Sequence, residues 1–192
     1  MNIDIDITGI ILETKNLILR PFEKNDLYDF NEYAKVYGVG EMAGWRHHKS
    51  IEESEKILDI FINGKKTFAI IDKFSRKVIG SFGIEKYNEK LALEEFKNLK
   101  CREIGYVLSK DFWGHGYMTE AGFAVLKYCF ETLNLDAIFC GYFKRNLKSK
   151  RVNEKLGFKY LLDCIFTTTY ETKEESVLTV LYKSDYENFK NL

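Results

Sequence analysis

The sequence predicts a mixed α/β (α+β) fold in a single domain spanning residues 1–192, and three observations carry that prediction. Strand-like and helix-like segments follow the order β, α, α, β, β, β, α, β, α, β, β, with too few β-α-β units for a doubly wound parallel sheet. Nothing divides the chain: Pro21 is its one proline, and there is no Gly/Ser linker, low-complexity tract or internal repeat. With 192 residues, 45% of them hydrophobic and 30% charged, it can bury a core and fold unaided.

The elements follow in order. "LILRPF" alternates and stops at Pro21, predicting a first strand near 17–20. Asp26 to Tyr37 reads as one or two short helical segments. "SIEESEKILDIFINGKK" opens with Ser50 and Glu53 in capping-box spacing, sets Ile51, Ile57, Ile60 and Phe61 on one face, and stops at Gly64. "TFAIID" and "KVIGSFGIEKY" are β-rich and joined by the polar "KFSR", which makes a hairpin. "NEKLALEEFKNLK", residues 88–100, is a short charged helix or an excursion between strands. After it come a strand "REIGYVL", a helix from about Thr119 to Leu133, a strand "AIFCGYF", a helix from about Leu147 to Leu156, and the closing pair "FKYLLDCIF" and "SVLTVLY".

Basic and acidic residues number 29 each, so no global field favours nucleic acid or an anionic membrane, and any anion site must be local. No apolar run approaches the ~18 residues that span a bilayer, and "MNIDIDITGI" lacks a basic start, so a cytoplasmic location is expected. Cys101, Cys129, Cys140 and Cys164 form no CxxC pair and are read as reduced and mostly buried. His47 and His48 have no third ligand beside them, so no metal is expected.

"FWGHGYMTEAG", residues 112–122, places Gly114 and Gly116 at the start of a helix. Amides there have no intrahelical partner and carry the positive end of the helix dipole, so clearing side chains makes an anion site. A glycine pair serving only the turn fits the spacing equally well. The nucleotide P-loop, G-x-x-x-x-G-K-[ST], is absent, and the dinucleotide fingerprint G-x-G-x-x-G fails at Thr119 and does not follow its strand directly. Downstream, "NLKSKRVNEKLGF" closes a strand at Asn146, sets Ser149 on the first helical turn and stops the helix at Gly157.

Together, "YVLSKDFWGHGYMTEA" and "N-x-x-S-x-R-V-x-E-K-L-G-F" resemble the GNAT superfamily of N-acetyltransferases, and within it the RimJ/RimL-like branch that acetylates N-terminal amines of ribosomal proteins. The resemblance runs from about Glu13 to Tyr182. It implies a central, mostly antiparallel twisted sheet of about seven strands with one splayed pair, flanked by about four helices. It further implies acetyl-coenzyme A as cofactor, with the pyrophosphate held by the backbone of Trp113, Gly114, His115, Gly116, Tyr117 and Met118 and by the Thr119 hydroxyl. The family often has Arg or Gln at the position of Trp113 and Gly or Ala at that of Met118, but only backbone donors are needed there. The splayed strands would be "REIGYVL" and "AIFCGYF", with the pantetheine arm pairing to Val107 and Leu108 and meeting Asn146 as it leaves the sheet.

The resemblance also implies direct attack of an amine on the thioester. A protein N-terminus, pKa ~7.7 to 8.0, is partly neutral at pH 7, whereas a lysine at ~10.4 needs a stronger base. Glu103 is the first base candidate, its alternative being a solvated strand-end carboxylate. His48 is a second base candidate, with Trp45 and Tyr142 as acceptor-pocket residues; a plain loop histidine is the alternative. Many superfamily members place a thiolate-protonating tyrosine four residues before the glycine of "GF"; this chain has Asn153, and the branch it resembles uses the serine at the position of Ser149, whose other reading is capping of its helix. Cys101 and Cys140 have no His or Asp neighbour and are set aside as nucleophiles. Lys144, Arg145, Lys148, Lys150 and Arg151 are a solvated helix face or meet the cofactor's outer phosphate, Lys150 and Arg151 first. The partners expected are acetyl-coenzyme A and an amine, in a monomer or homodimer; a catalytically idle acyl-coenzyme A sensor is the alternative. Residues 88–100 and 167–176 are unplaced stretches available to shape the acceptor pocket.

Overall fold

A computed structural model describes residues 1–89 and 94–190. Its strands are β1 (Leu12–Glu13), β2 (Leu17–Pro21), β3 (Thr67–Asp72), β4 (Val78–Glu85), β5 (Cys101–Leu108), β6 (Ala137–Phe143), β7 (Lys159–Thr167) and β8 (Lys173–Tyr182). Its α-helices are α1 (Leu27–Ala34), α2 (Ile51–Gly64), α3 (Tyr117–Lys127), α4 (Leu147–Lys155) and α5 (Lys183–Lys190). The strands form one sheet in the order β1-β2-β3-β4-β5-β6-β8-β7, in which only β5 and β6 run parallel.

Two elements exceed the expected seven strands and four helices. β1 is a two-residue ladder, too short for any periodicity, and α5 is a polar segment whose Tyr186 packs on the core. Both ends of α3 also move. α3 begins directly after Gly116 and passes at Tyr128–Thr132 into a π turn. α2 ends at Gly64 as expected, but the left-handed residue that caps it is Lys65, at φ 51°, and not the glycine. In the stretch 88–100, Glu94–Phe96 is a single 3-10 turn that buries Phe96, while residues 90–93 lie outside the described residues.

Local chemistry explains the better-defined elements. Ser50 Oγ accepts from the Glu53 amide, and the Glu53 carboxylate accepts from the Lys49 amide at 2.7 Å, so two groups at the helix start are satisfied. In the β3–β4 hairpin, Asp72 accepts from the Ser75 amide at 2.8 Å, which locks the turn in "KFSR".

The sheet is covered on both faces. Leu17, Leu19, Phe68, Phe82 and Ile104 pack with Ala121, Val125 and Leu126 of α3 on one side. Ala69, Ile71 and Val78 pack with Phe30 and Tyr33 of α1 and Leu58 of α2 on the other. On that second face, under β7 and β8, Phe96, Phe139 and Val180 make a third cluster. Strands buried on both faces read as continuous apolar runs, which is why "TFAIID" is wholly buried.

The central feature is a fork. β5 and β6 pair only from Cys101–Ala137 to Ile104–Cys140. Beyond that, β5 stays with β4 as far as Leu108 and β6 with β8 as far as Phe143, so the two strands part at Gly105 and Gly141. Glycine at both points leaves the opening free of side chains. Gly80, opposite Leu108, is needed for another reason: the Val107 carbonyl occupies the place where a Cβ would stand.

Candidate active site

The fork opens into a cleft of about 1240 Å³, lined by the ends of β5 and β6, the loop before α3 and the first turns of α4.

Gly114 and Gly116 hold φ of 88° and 79°, a left-handed backbone that costs most other residues roughly 1 kcal/mol or more. A Cβ built on either meets no protein atom within 4 Å, so the space beside them is open. Trp113 instead donates its amide to the Lys110 carbonyl at 3.1 Å, which removes it from the expected set of anion donors. Its indole Nε1 donates to the Leu108 carbonyl at 2.8 Å, and the Lys148 ammonium sits 3.8 Å from its ring centroid. Among the described residues, no protein acceptor takes the amides of Gly114, His115, Gly116, Tyr117, Met118 or Thr119. Six such amides around cleared space at the positive end of a helix fit a diphosphate. Met118 turns its side chain into the core, and Thr119 lines the cleft.

Val107 and Leu108 also line the cleft, although Leu108's carbonyl has one lone pair engaged by Trp113 and Val107's carbonyl lies against Gly80. Asn146 caps α4: its Oδ1 accepts from the Ser149 amide at 3.1 Å, and its Nδ2 donates to the Met42 carbonyl at 3.2 Å. The capping role weighed for Ser149 therefore belongs to Asn146. Ser149's hydroxyl instead lies 3.1 Å from the Tyr106 hydroxyl. Asn153 donates to the Tyr106 oxygen at 3.0 Å and to the Ser149 carbonyl at 3.1 Å, and Thr179 lies 2.8 Å from its Oδ1. Tyr106 was not singled out from the sequence; its alternation with Ile104 and Leu108 is the signal that puts it on the α3 and α4 face.

Glu103 lies on the opposite face, at the closed end of the fork. Its Oε1 is 3.6 Å from where a Cβ on Gly141 would stand, an ordinary contact distance that sets the carboxyl beside Gly141. Burial, helped by the nearby Glu85 carboxylate, pushes its pKa up to about 7. That is the value of an efficient general base at neutral pH and not of a solvated strand end. Glu85 itself pairs with Lys66.

Burial pushes Cys140 up to about 12 and Cys101 up to about 11, which leaves both as inert thiols.

His48 and Trp45 stand apart from this cleft. They line a separate pocket of about 680 Å³ with Phe30, Ser81 and Tyr170. His48 is 6% exposed, its Nδ1 lies 2.8 Å from Ser54 Oγ, and burial lowers its pKa, keeping the ring neutral. Residues 169–171 close one side of that pocket, and Phe166 and Thr167 line the main cleft, so the stretch 167–176 touches both. Tyr142 lines the main cleft.

The basic residues separate by contact. Lys144 pairs with Asp163 at 2.9 Å, and Arg145 pairs with Glu174 at 2.8 Å. Lys150 lies 3.8 Å from Glu154 and does not line the cleft, whereas Lys148 and Arg151 do.

Among the described residues, no helix is long and apolar enough to cross a membrane.

Comparison with known proteins gives the family. The acetyltransferase (GNAT) domain family matches residues 16–159. The uncharacterized N-acetyltransferase YnaD of Bacillus subtilis is 28% identical over 156 residues, covering 77% of this chain and 82% of its own. Ribosomal-protein-S5-alanine acetyltransferase from Vibrio fischeri superposes with a TM-score of 0.71 at 20% identity, covering 93% of this chain and 99% of its own. Spermidine N-acetyltransferase from Vibrio cholerae, solved in complex with CoA and spermine, superposes with a TM-score of 0.72 at 19% identity, covering 90% and 99%. At these identities the two structures share the fold with this chain.

Proposed function

The chain belongs to the GNAT acetyltransferase family, and from that premise we propose that it moves the acetyl group of acetyl-coenzyme A to a primary amine by direct attack in a ternary complex. The observation that supports this most is the fork: a carboxyl with a pKa of about 7 at its closed end, and a row of free amides at its mouth.

Bound there, acetyl-coenzyme A supplies an activated acyl group on a thiol leaving group. The amides of Gly114 through Thr119 hold its diphosphate, with the Thr119 hydroxyl beside them and Arg151 and Lys148 near the outer phosphate. The splayed edges of β5 and β6 receive the pantetheine arm. Glu103 takes the proton from the attacking amine, and Ser149 gives one to the departing sulfur. Trp45 and His48 line the other pocket and not Glu103's cleft, so in this reading they shape the approach of a larger acceptor and His48 is not the base.

A protein N-terminus, as in the RimJ/RimL-like branch, and a small amine both remain within this chemistry, since solved relatives on the same fold carry names for both. Four unpaired thiols fit a reducing compartment, and we place the enzyme in the cytoplasm. The test is thiol release from acetyl-coenzyme A with peptide N-termini, polyamines and free amino acids as acceptors. Release with one acceptor class supports the reading. Coenzyme A binding without release in any class makes the protein a sensor.

A further inference from the structure

Resting on the acetyl-transfer reading, we propose that Tyr106 is a positioning residue that relays the Asn153 hydrogen bond to Ser149 and so aims the Ser149 hydroxyl proton into the fork.

The hydrogen-bond inventory sets the direction of this relay. Asn153 is 1% exposed, and its Nδ2 lies 3.1 Å from the Ser149 carbonyl, an acceptor only, so that end of the amide is the donor. The Thr179 hydroxyl lies 2.8 Å from Oδ1 and 2.7 Å from the Cys140 carbonyl, so its one proton is shared between two acceptors and the orientation of the amide rests on the Ser149 carbonyl. Nδ2 therefore also donates to the Tyr106 oxygen, at 3.0 Å. With that lone pair engaged, we assign the Tyr106 proton to Ser149 Oγ at 3.1 Å, in preference to the Ser149 carbonyl at 3.4 Å and to the neighbouring Cys140 thiol, a weak acceptor. Ser149 Oγ then accepts from Tyr106, and its own proton points elsewhere. Tyr106 and Ser149 both line the cleft where the sulfur lies in the acetyl-transfer reading.

The step balances without a redox partner. Glu103 takes the proton from the amine nitrogen as the N–C bond forms. Ser149 Oγ gives its proton to the sulfur as the C–S bond breaks and the sulfur keeps the electron pair. The Tyr106 phenol keeps its proton, which burial holds on the oxygen, and its hydrogen bond steadies Ser149 Oγ while the Ser149 proton leaves. The proton that Glu103 took returns through water to Ser149 Oγ after the products leave.

The experiment compares Tyr106→Phe, Ser149→Ala, the double variant and Asn153→Ala. Phenylalanine removes one hydroxyl and keeps the ring that packs on Phe82 at 5.5 Å, so folding is checked by thermal unfolding alongside. The first readout needs no acceptor: the thiol of bound coenzyme A is titrated by its thiolate absorbance. Tyr106→Phe is expected to weaken thiolate relative to thiol binding about threefold, with Asn153→Ala between it and wild type. In turnover, Tyr106→Phe is expected to lower kcat about 10- to 100-fold with the KM for acetyl-coenzyme A within twofold, and the double variant is expected to match Ser149→Ala. An unchanged thiol titration and kcat, or single losses that multiply in the double variant, overturns the relay alone. Failure of coenzyme A to bind at all overturns the acetyl-transfer reading and the relay with it.

Discussion

Glu103 and Tyr106 are three residues apart on β5 and therefore face opposite sides of the sheet, one toward Gly141 and the other toward Ser149, at the one place where the sheet opens. An odd offset on a strand, combined with a fork, puts a carboxyl of raised pKa and a hydrogen-bonded pair of hydroxyls on the two sides of a single gap. An amine deprotonated on one side and a sulfur protonated on the other are what direct acyl transfer requires.

Replacing Glu103 by Gln is expected to lower kcat by about 10²- to 10⁴-fold at pH 8. In the wild type, activity rises as the carboxyl ionises through about pH 7, because only the charged form accepts a proton. The variant's profile lacks that rise. Initial rates from pH 5.5 to 9 with one competent amine check both.

The same carboxyl sets a stability trend. Its pKa is raised in the fold, so its contribution is fully present below the unfolded value of 4.5 and is lost as pH rises through about 7. Glu103→Gln should therefore match wild type near pH 4 and exceed it by up to about 3 kcal/mol at pH 8, at 1.36 kcal/mol per unit. Urea unfolding at the two pH values reads the difference.

Gly116→Ala should separate fold from binding. Its Cβ meets no protein atom, so the cost to stability is confined to the left-handed backbone, about 1 kcal/mol. The same methyl enters the space beside the free amides, and coenzyme A affinity is expected to fall about tenfold or more. Calorimetry and thermal unfolding on one preparation measure both.

Asn146→Ala removes the α4 cap and the tie to Met42 together, and should cost about 1 to 2 kcal/mol. Asn146→Ser restores the cap but not the tie, and should recover about half. Denaturant midpoints for the pair test this.

Much of the fold is legible in the sequence because its signals are local. Ser50 and Glu53 announce α2, and "KFSR" announces the β3–β4 hairpin, each within a few residues. β1 and α5 are not legible, because a two-residue ladder has no period and the charged "KSDYENFK" has no strong apolar stripe. Gly114 and Gly116 are legible as a turn cleared of side chains before a helix, but the engaged Trp113 amide depends on a turn through Lys110 that no spacing rule describes. Glu103 is legible only as a carboxylate at a strand end; its burial depends on Gly141 and Glu85 arriving from neighbouring strands. Tyr106 escapes for the same reason, since its partners Ser149 and Asn153 lie on α4, 43 and 47 residues away.

The most direct measurement is a crystal structure of the protein with coenzyme A. The account predicts the diphosphate against the amides of Gly114 to Thr119, the arm passing between β5 and β6 at Gly105 and Gly141, and the sulfur beside Ser149. Coenzyme A lodged elsewhere, or those amides turned to protein acceptors with the ligand bound, would contradict it.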